Sequence, residues 1–384
     1  MPRSIYFDYN ATTPLDPSVR EAMLPFLGEV WGNPSSVHHI GRRARALLDD
    51  ARDRAARFLG ARPSEIIFTS GGTESNNLAI LGTARLLKSK GKHLITSAIE
   101  HHAVLSCFDF LAEREGFDVS RLPVDPWGRI SPLDLDKAIR PDTVLVSIMA
   151  ANNEIGTIQP VSQLGAICHK RGVVFHTDAV QWFGKGNVNN VAQFNAGLVS
   201  VCAHKFHGPK GAGLLWIRSP LHPDPILMGG SHENERRAGT ENLSNIVGLV
   251  AAMEKFVSPP VFDSKKLQPF ADKLSSTIAS IDGCEMVSPR DFCLSNTVSF
   301  TVRGSDSIAL LAALDVEGIC ASSGSACSSG SLVPSHVITA IGKPDLANSL
   351  VRFSLGRETT FEEVDFVCAA LPEIVRRSRS RRKP

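Results

Sequence analysis

Short runs of apolar, β-branched residues alternate with longer amphipathic stretches through the first two-thirds of the chain. Because these runs are apolar on both faces and are separated by helical patterns, they are typical of a mostly parallel sheet covered on both sides by helices. This alternation places the chain in the α/β class. The runs that we interpret as strands are residues 66–69, 93–97, 143–149, 173–177 and 198–202, and the clearest helical patterns are residues 42–59 and 161–171.

The pattern changes after Ser258-Pro259-Pro260, where adjacent prolines end the helix predicted for residues 241–257. At 384 residues, the chain is long enough for a second domain. The remainder predicts a smaller α+β unit, with helices at residues 265–281 and 307–317 and from residue 360, and with strands at residues 297–302 and 350–355.

The composition argues against several classes of protein. The net charge of +2 does not indicate a nucleic-acid partner, and no run approaches the roughly 20 apolar residues of a membrane helix. The N-terminal MPRSIYFDYN lacks an apolar signal core, and the eight cysteines form no CxxC pair. We therefore expect a cytoplasmic protein with no membrane partner and no direct nucleic-acid partner. The basic residues 376–384 are either a solvated tail or a nucleic-acid patch, and we favour the tail.

Gly71-Gly72-Thr73 lies between a predicted strand and a predicted helix. The free amide groups at the start of a helix stabilise an anion, and glycine lets the anion approach the backbone. The same residues are equally consistent with a plain turn. The chain contains no GxxxxGK[ST] motif of a P-loop, and no GxGxxG motif follows a strand, which argues against a dinucleotide.

Two ionisable residues follow predicted strands. Asp178 comes after the run at 173–177, and Lys205 comes after the run at 198–202. Ligands of parallel α/β sheets bind at the carboxyl ends of strands, although Asp178 is also compatible with a helix cap and Lys205 with a side chain that reaches solvent. A phosphate site, an acid for a pyridine nitrogen and a lysine for a Schiff base are together the parts of a pyridoxal-phosphate site.

Three further side chains are predicted to face the same crevice. His101 follows the strand at 93–97 and offers an aromatic face or a proton carrier, and Asn153 follows the strand at 143–149. Arg352 interrupts an apolar strand, so we expect it to pair with a carboxylate of the protein or of a substrate. No HExxH motif or zinc-type spacing occurs, and we predict no metal site.

The chain closely resembles a known family, the cysteine desulfurases of the NifS/IscS type, which have the class V aminotransferase fold. The resemblance covers essentially the whole chain. The motifs that carry it are YFDYNATTP from Tyr6, GNPSS from Gly32, GGTESNN from Gly71, EHHAV from Glu100, NNEIG from Asn152, TDAVQ from Thr177, AHKFHGPKG from Ala203, RRAGTEN from Arg236, SGSACSSGS from Ser323 and VRFSLGR from Val351.

The resemblance implies an α/β fold of the PLP-dependent transferase type. Its large domain, residues 16–258, would hold a mostly parallel seven-stranded sheet. Its small α+β domain, residues 1–15 and 262–384, would carry the catalytic cysteine loop at about residues 321–332. The family forms homodimers, and its members pass sulfur to acceptor proteins of iron–sulfur cluster or thiolation pathways.

The resemblance also implies a role for each site residue. Lys205 would carry pyridoxal 5′-phosphate as a Schiff base, and Asn153 and Arg352 would bind the carboxylate of L-cysteine. The remaining implied cofactor contacts are Gly72, Thr73 and His204 at the phosphate, Thr240 at the phosphate of the neighbouring subunit, Asp178 at the pyridine nitrogen, Gln181 at the phenolic oxygen, and His101 stacked on the ring, where it would handle protons.

Cys327 lies at the centre of SGSACSSGS, a segment with no residue suited to anchor it in a core. By the resemblance, its thiolate takes the substrate sulfur as a persulfide and leaves alanine, whereas Cys320 is expected to be a buried residue at a strand end. A selenocysteine lyase and an aminotransferase of the same fold are alternatives, as is a relay protein with a decayed site. The complete set of Lys205, Asp178, His101, Arg352 and Cys327 argues against decay.

The chain departs from the family at one position. The family usually has a serine that bonds the phosphate two residues before the histidine of the lysine motif, and here that position is Cys202. A thiol is a weaker hydrogen-bond donor than a hydroxyl. We therefore predict that changing Cys202 to serine leaves the cofactor bound as tightly or more tightly.

Overall fold

The computed structural model describes residues 4–324 and 334–380. Cys327 and the other residues of the segment 325–333 lie outside the described residues. The strands are β1 (Ile5–Tyr6), β2 (Ile66–Thr69), β3 (His93–Ser97), β4 (Asp118–Leu122), β5 (Thr143–Ser147), β6 (Val174–Asp178), β7 (Leu198–Cys202), β8 (Gly213–Ile217), β9 (Cys284–Met286), β10 (Thr297–Val302), β11 (Ile319–Cys320) and β12 (Leu350–Ser354).

The described helices lie on both faces of the larger sheet and beside the smaller one. They are α1 (Pro17–Met23), α2 (Pro25–Gly28), α3 (His39–Leu59), α4 (Gly72–Asn77), α5 (Thr83–Leu87), α6 (His102–Glu115), α7 (Pro132–Ala138), α8 (Val161–Arg171), α9 (Leu243–Phe256), α10 (Ser264–Ala279), α11 (Ser307–Val316), α12 (His336–Ala340) and α13 (Phe361–Ser380). A π-helical turn, Leu78–Gly82, joins α4 to α5.

A seven-stranded sheet in the order β2-β8-β7-β6-β5-β3-β4 forms the centre of the molecule. Strand β8 is antiparallel to both of its neighbours, and the other pairs in the sheet are parallel. The predicted α/β fold with a mostly parallel seven-stranded sheet is confirmed. Since β2, β3, β5, β6 and β7 run in one direction, their carboxyl ends, and the loops that follow them, meet at one edge of the sheet.

A second, smaller sheet has the antiparallel order β12-β10-β9 and its own apolar cluster, built with α10, α11 and α13. Strands β1 and β11 form a separate parallel pair, and a bridge between Asp8 and Ser354 brings the N-terminal segment alongside β12 of the smaller sheet. The division into residues 16–258 against residues 1–15 and 262–384 stays a prediction.

The sequence analysis missed β4, β8 and α6. Strand β4 has only one buried residue, so it lacks the apolar run on which the prediction depended. Helix α3 begins three residues earlier than predicted, because the His38 ring accepts a hydrogen bond from the Gly41 amide and caps the helix there. Cys320 does end a strand, but it is half-buried rather than buried as we expected.

None of the helices in the described part of the chain is both long enough and apolar enough to cross a membrane. Within residues 4–324 and 334–380, no group of three or more His, Cys, Asp and Glu side chains is arranged to hold a metal ion.

Candidate active site

A cavity of about 180 Å³ lies at the carboxyl edge of the seven-stranded sheet. Its wall combines loops that follow β2, β3, β5, β6 and β7 with the N-terminal segment and with β12 of the smaller sheet. Ten of the residues predicted for the site line this cavity: Gly72, Thr73, His101, Asn153, Asp178, Gln181, Cys202, His204, Lys205 and Arg352.

Lys205 ends the single 3₁₀ turn that follows β7. Its Nζ donates hydrogen bonds to the backbone carbonyls of Asn10 at 2.7 Å and Ala11 at 2.8 Å. Burial lowers the pKa of this amine from 10.5 to about 8. Lys205 is half-buried, and its amine is bound to these two carbonyls rather than extended into solvent. With this pKa, a substantial fraction of the amine is neutral and nucleophilic near pH 8.

Asp178 is the last residue of β6 and is almost completely buried. Its Oδ1 accepts from the Val180 amide at 2.9 Å, and its Oδ2 accepts from Asn76 Nδ2 at 2.6 Å. Burial raises the pKa of the carboxyl, whereas these two hydrogen bonds and the charge of Lys205 oppose that rise. The carboxylate is thus fixed in direction at the cavity wall, where a cationic partner would stabilise its ionised form.

The predicted phosphate end of the cavity combines the start of α4 with the end of β7. A Cβ atom at Gly72 would come within 2.8 Å of Val180 Cγ2, so a larger residue here would force the wall to move. Thr73 is exposed at the first turn of the helix. His204 Nδ1 lies 3.0 Å from Thr12 Oγ1, and burial lowers the pKa of this imidazole to about 3. His204 is therefore neutral at pH 7.

Cys202 is 4% exposed and lines the same end of the cavity. Its Sγ lies 3.7 Å from the carbonyl oxygen of Ala212, the residue before β8. Burial raises the pKa of the thiol, although hydrogen bonds from the backbone of Gly72 and His204 and the charge of Lys205 act against this. A protonated thiol therefore lies between the backbone amides of Gly72 and His204.

His101 is the N-cap of α6, and its Nδ1 accepts a hydrogen bond from the Ala103 amide at 3.0 Å. Burial and the neighbouring charge of Lys205 lower the pKa of the ring to about 4. Since Nδ1 is an acceptor in this contact, the neutral ring carries its hydrogen on Nε2. His101 can therefore take up a proton only by giving up its cap to α6.

Arg352 lies in β12 with its side chain fully buried. Its Nη2 pairs with Asp8 Oδ1 at 2.7 Å, and its Nη1 donates to the carbonyls of Asn153 at 2.8 Å and Gly324 at 3.0 Å. The sequence left open whether this arginine pairs with a carboxylate of the protein or of a substrate, and the structure gives it Asp8. Its Nε is buried and has no hydrogen-bond partner among the described residues.

Among the described residues, one predicted site residue is not part of this cavity. Thr240 lines a separate, smaller cavity that also contains Glu233 and Arg237. It is exposed and does not join Lys205 within one chain. Cys327 lies outside the described residues.

The sequence analysis missed four residues of the site. Asn10 and Ala11 receive the amine of Lys205 on their backbone carbonyls, Asn76 holds Asp178, and Asp8 holds Arg352. All four belong to the motifs YFDYNATTP and GGTESNN, which were identified without assigning these positions a role. For Asp8, Asn10 and Asn76 the available signal was a polar side chain within a motif, because such groups need a partner when they are buried, whereas Ala11 carries no such signal.

The chemistry of the cavity fits pyridoxal phosphate. It places an amine with a lowered pKa, a fixed buried carboxylate and helix-start amides around one space. Two buried atoms on its lining residues, Asn76 Oδ1 and Arg352 Nε, have no hydrogen-bond partner among the described residues. Unsatisfied buried polar groups at a cavity wall are expected where a polar ligand binds.

The aminotransferase class-V family model matches residues 5–367. A cysteine desulfurase IscS from Dictyoglomus turgidum is 47% identical over 382 residues, which are 99% of this chain and 96% of that protein. Among solved structures, a NifS-like protein has 37% identity and a TM-score of 0.90, covering 97% of this chain and 100% of that one. A structure of SspA in complex with cysteine has 38% identity and a TM-score of 0.81, covering 93% and 100%.

Proposed function

Since the chain belongs to the aminotransferase class-V family and, within it, to the cysteine desulfurases, we propose that its cavity binds pyridoxal phosphate at Lys205 and takes L-cysteine as substrate. The observation that carries this proposal is one cavity that holds the Lys205 amine, the Asp178 carboxylate and the amides at Gly72. The bound cofactor supplies an electron sink for charge that develops on the substrate. Asp178 would face its pyridine nitrogen, and Gly72, Thr73, Cys202 and His204 its phosphate.

Arg352 and Asn153 would bind the carboxylate of the substrate. The guanidinium is held by Asp8 and keeps an unpartnered Nε on the cavity lining. A planar guanidinium binds a carboxylate through two parallel N–H donors, which fixes the orientation of the substrate as well as its charge. The SspA structure in complex with cysteine, on a similar fold, supports L-cysteine as the ligand.

Lys205 would move the proton of the substrate Cα. A general base works best when its pKa lies near the pH of the reaction, and the pKa of this amine is lowered to about 8. The carbonyls of Asn10 and Ala11 hold the amine at the cavity wall.

Cys327 would complete the reaction. Its sulfur forms a new S–S bond with the substrate sulfur while the Cβ–S bond of the substrate breaks, and the carbon fragment leaves as alanine after protonation. L-Cysteine and the Cys327 thiol are thereby converted to alanine and a Cys327 persulfide, which an acceptor protein would then take up. If His101 receives the thiol proton, as the resemblance implies, its ring must release the Ala103 amide first.

The test measures alanine, sulfide and pyruvate released from L-cysteine by the wild type and by a Cys327→Ala variant, with dithiothreitol present. We expect the variant to bind the cofactor and L-cysteine as the wild type does but to make no persulfide or sulfide. A Lys205→Ala control should lose the covalent link to the cofactor. Normal sulfide release by Cys327→Ala would refute the proposal, and release of a keto acid would favour an aminotransferase.

We also propose that the active enzyme is a homodimer in which Thr240 reaches the partner's cofactor. Thr240 is exposed and outside the cavity of its own chain. Large apolar side chains are exposed on the same chain, with Trp31 at 70%, Val37 at 87% and Met228 at 75%. Light scattering of the purified protein measures the oligomeric state, and a monomer that binds cofactor with full affinity would contradict this arrangement.

A further inference from the structure

Lys185 is a buried lysine that the reaction described above does not use. It is 8% exposed, and among the described residues no carboxylate lies within ion-pair distance of its amine. Burial and the charges of Lys205 and Arg352 lower its pKa well below 10.5. Burying an amine without an acid partner costs folding free energy, and a role in the site would explain why this lysine is kept there.

That contact is with the side chain of Gln181. The Nζ of Lys185 donates to Gln181 Oε1 at 2.5 Å, and it also lies 5.1 Å from the ring centre of Phe262. Gln181 in turn donates from Nε2 to the backbone carbonyl of Asn10 at 2.9 Å, the same carbonyl that receives the Lys205 amine. Lys185 therefore lies one side chain away from the reacting amine.

These two contacts define which end of the Gln181 amide is nitrogen. A backbone carbonyl accepts only, so the atom that faces Asn10 must be the nitrogen, and the oxygen at the other end then accepts from the Lys185 amine. A flipped amide would place acceptor against acceptor at Asn10. One of the two Nε2 hydrogens is used at Asn10, which leaves the other for a ligand in the cavity that Gln181 lines.

The backbone near Lys185 supports this arrangement. Gly184 has a φ of +80°, and a Cβ at this position would lie 2.6 Å from the Cβ of Phe206. The turn between Gln181 and Lys185 therefore requires glycine at position 184. Its amide is also held, since Lys185 N donates to the carbonyl of Trp182 at 3.0 Å.

We propose that Lys185 is a positioning residue, which holds the Gln181 amide with its nitrogen toward the phenolic oxygen of the cofactor. This inference rests on the proposed function, because it needs pyridoxal phosphate in the cavity. Without the lysine, the Gln181 oxygen has lost its donor and the amide is held only by its contact with Asn10, so the nitrogen can swing away from the phenolic oxygen and the hydrogen bond to that oxygen is weakened.

The test is a double-mutant cycle on cofactor affinity, measured by equilibrium dialysis of the apo protein against pyridoxal phosphate. A hydrogen bond to a charged oxygen contributes enough that Lys185→Met should weaken binding by about tenfold. In a Gln181→Leu background the same change should have no further effect, because there is no amide left to position. An equal loss in both backgrounds, or no loss in the wild-type background, would overturn the inference.

Two further measurements separate positioning from a merely structural role. The midpoint of the pH titration of the bound cofactor's visible absorbance should rise in Lys185→Met but not change further when Gln181→Leu is already present, since a donor to the oxygen is lost in the first case only. Lys185→Arg keeps a donor to Gln181 Oε1 and should bind the cofactor within about twofold of wild type.

The variants also remain informative if stability changes. The cavity beside Lys185, lined by Trp182 and Phe262, gives an arginine room, so Lys185→Arg tests the inference even if Lys185→Met does not fold. A folded Lys185→Arg protein with tenfold weaker binding would overturn it. Failure of the wild type to bind pyridoxal phosphate would instead refute the proposed function, so the two failures can be told apart.

Discussion

Changing Cys202 to serine tests whether this residue contacts the phosphate of the cofactor. In the apo protein the buried thiol lies 3.7 Å from the Ala212 carbonyl and between the backbone amides of Gly72 and His204. A serine oxygen lies closer to its own Cβ than a cysteine sulfur does. In the same rotamer, the hydroxyl would therefore be left beyond hydrogen-bond distance of Ala212.

The structure predicts opposite effects of this change on the apo and cofactor-bound protein. A buried hydroxyl whose hydrogen has no acceptor costs about 1–3 kcal/mol, so the apo protein should be destabilised by about 1 kcal/mol. With phosphate present, the hydroxyl donates a charge-assisted bond of about 1.5–3 kcal/mol, for which a thiol is the weaker donor. The two effects add in the binding equilibrium, and we expect the dissociation constant of pyridoxal phosphate to fall by about tenfold.

The assay is dialysis of the apo protein against pyridoxal phosphate, together with thermal unfolding with and without the cofactor. Cys168→Ser is the matched control, because Cys168 is a fully buried thiol in α8 that does not line the cavity. It should destabilise both forms equally and leave the dissociation constant unchanged. Weaker cofactor binding by Cys202→Ser than by the wild type would show that Cys202 does not contact the phosphate.

Three further predictions follow from single contacts in the site. Because the pKa of Lys205 is lowered from 10.5 to about 8, the unfolded chain takes up its proton first as the pH falls. The free energy of unfolding of the apo protein, measured with urea, should therefore rise from pH 8 to 10.5 by about 3 kcal/mol more than that of Lys205→Met. Asp8→Asn removes one partner of the buried Arg352 pair and should cost about 3 kcal/mol in the same assay, whereas Asp49→Asn at an exposed pair should cost less than about 1 kcal/mol; equal losses would refute this. Asn76→Ala leaves one oxygen of Asp178 without its donor, so cofactor binding measured by dialysis should weaken by about tenfold, and unchanged binding would contradict the role of Asn76.

The alternation of apolar runs with helical patterns was enough to predict the α/β fold, because strands buried on both faces need apolar residues at every position. Four of the strands in the first two-thirds, at Ile66, His93, Thr143 and Leu198, begin where the sequence predicted them. Strand β4 could not be predicted in this way, since an edge strand with one buried residue looks like a loop.

Part of the site could also be predicted from the apolar runs. Asp178 and Lys205 each follow an apolar run, and parallel strands bring their carboxyl ends to one edge regardless of how far apart they lie in the chain. The resemblance to the desulfurases then supplied the residues that local pattern could not assign, such as Gln181.

The sequence by itself determined the kind of fold and the types of residue that meet at the carboxyl edge of the sheet, because both depend on local periodicity and on strand direction. Only the tertiary structure decided the partners of those residues. Asp8 meets Arg352 across 344 positions of chain and Asn10 meets Lys205 across 195, and Lys185 holds Gln181 only because the turn between them is closed against Phe206. Hydrogen bonds and ion pairs act over a few ångströms, so their partners are set by packing rather than by spacing along the chain.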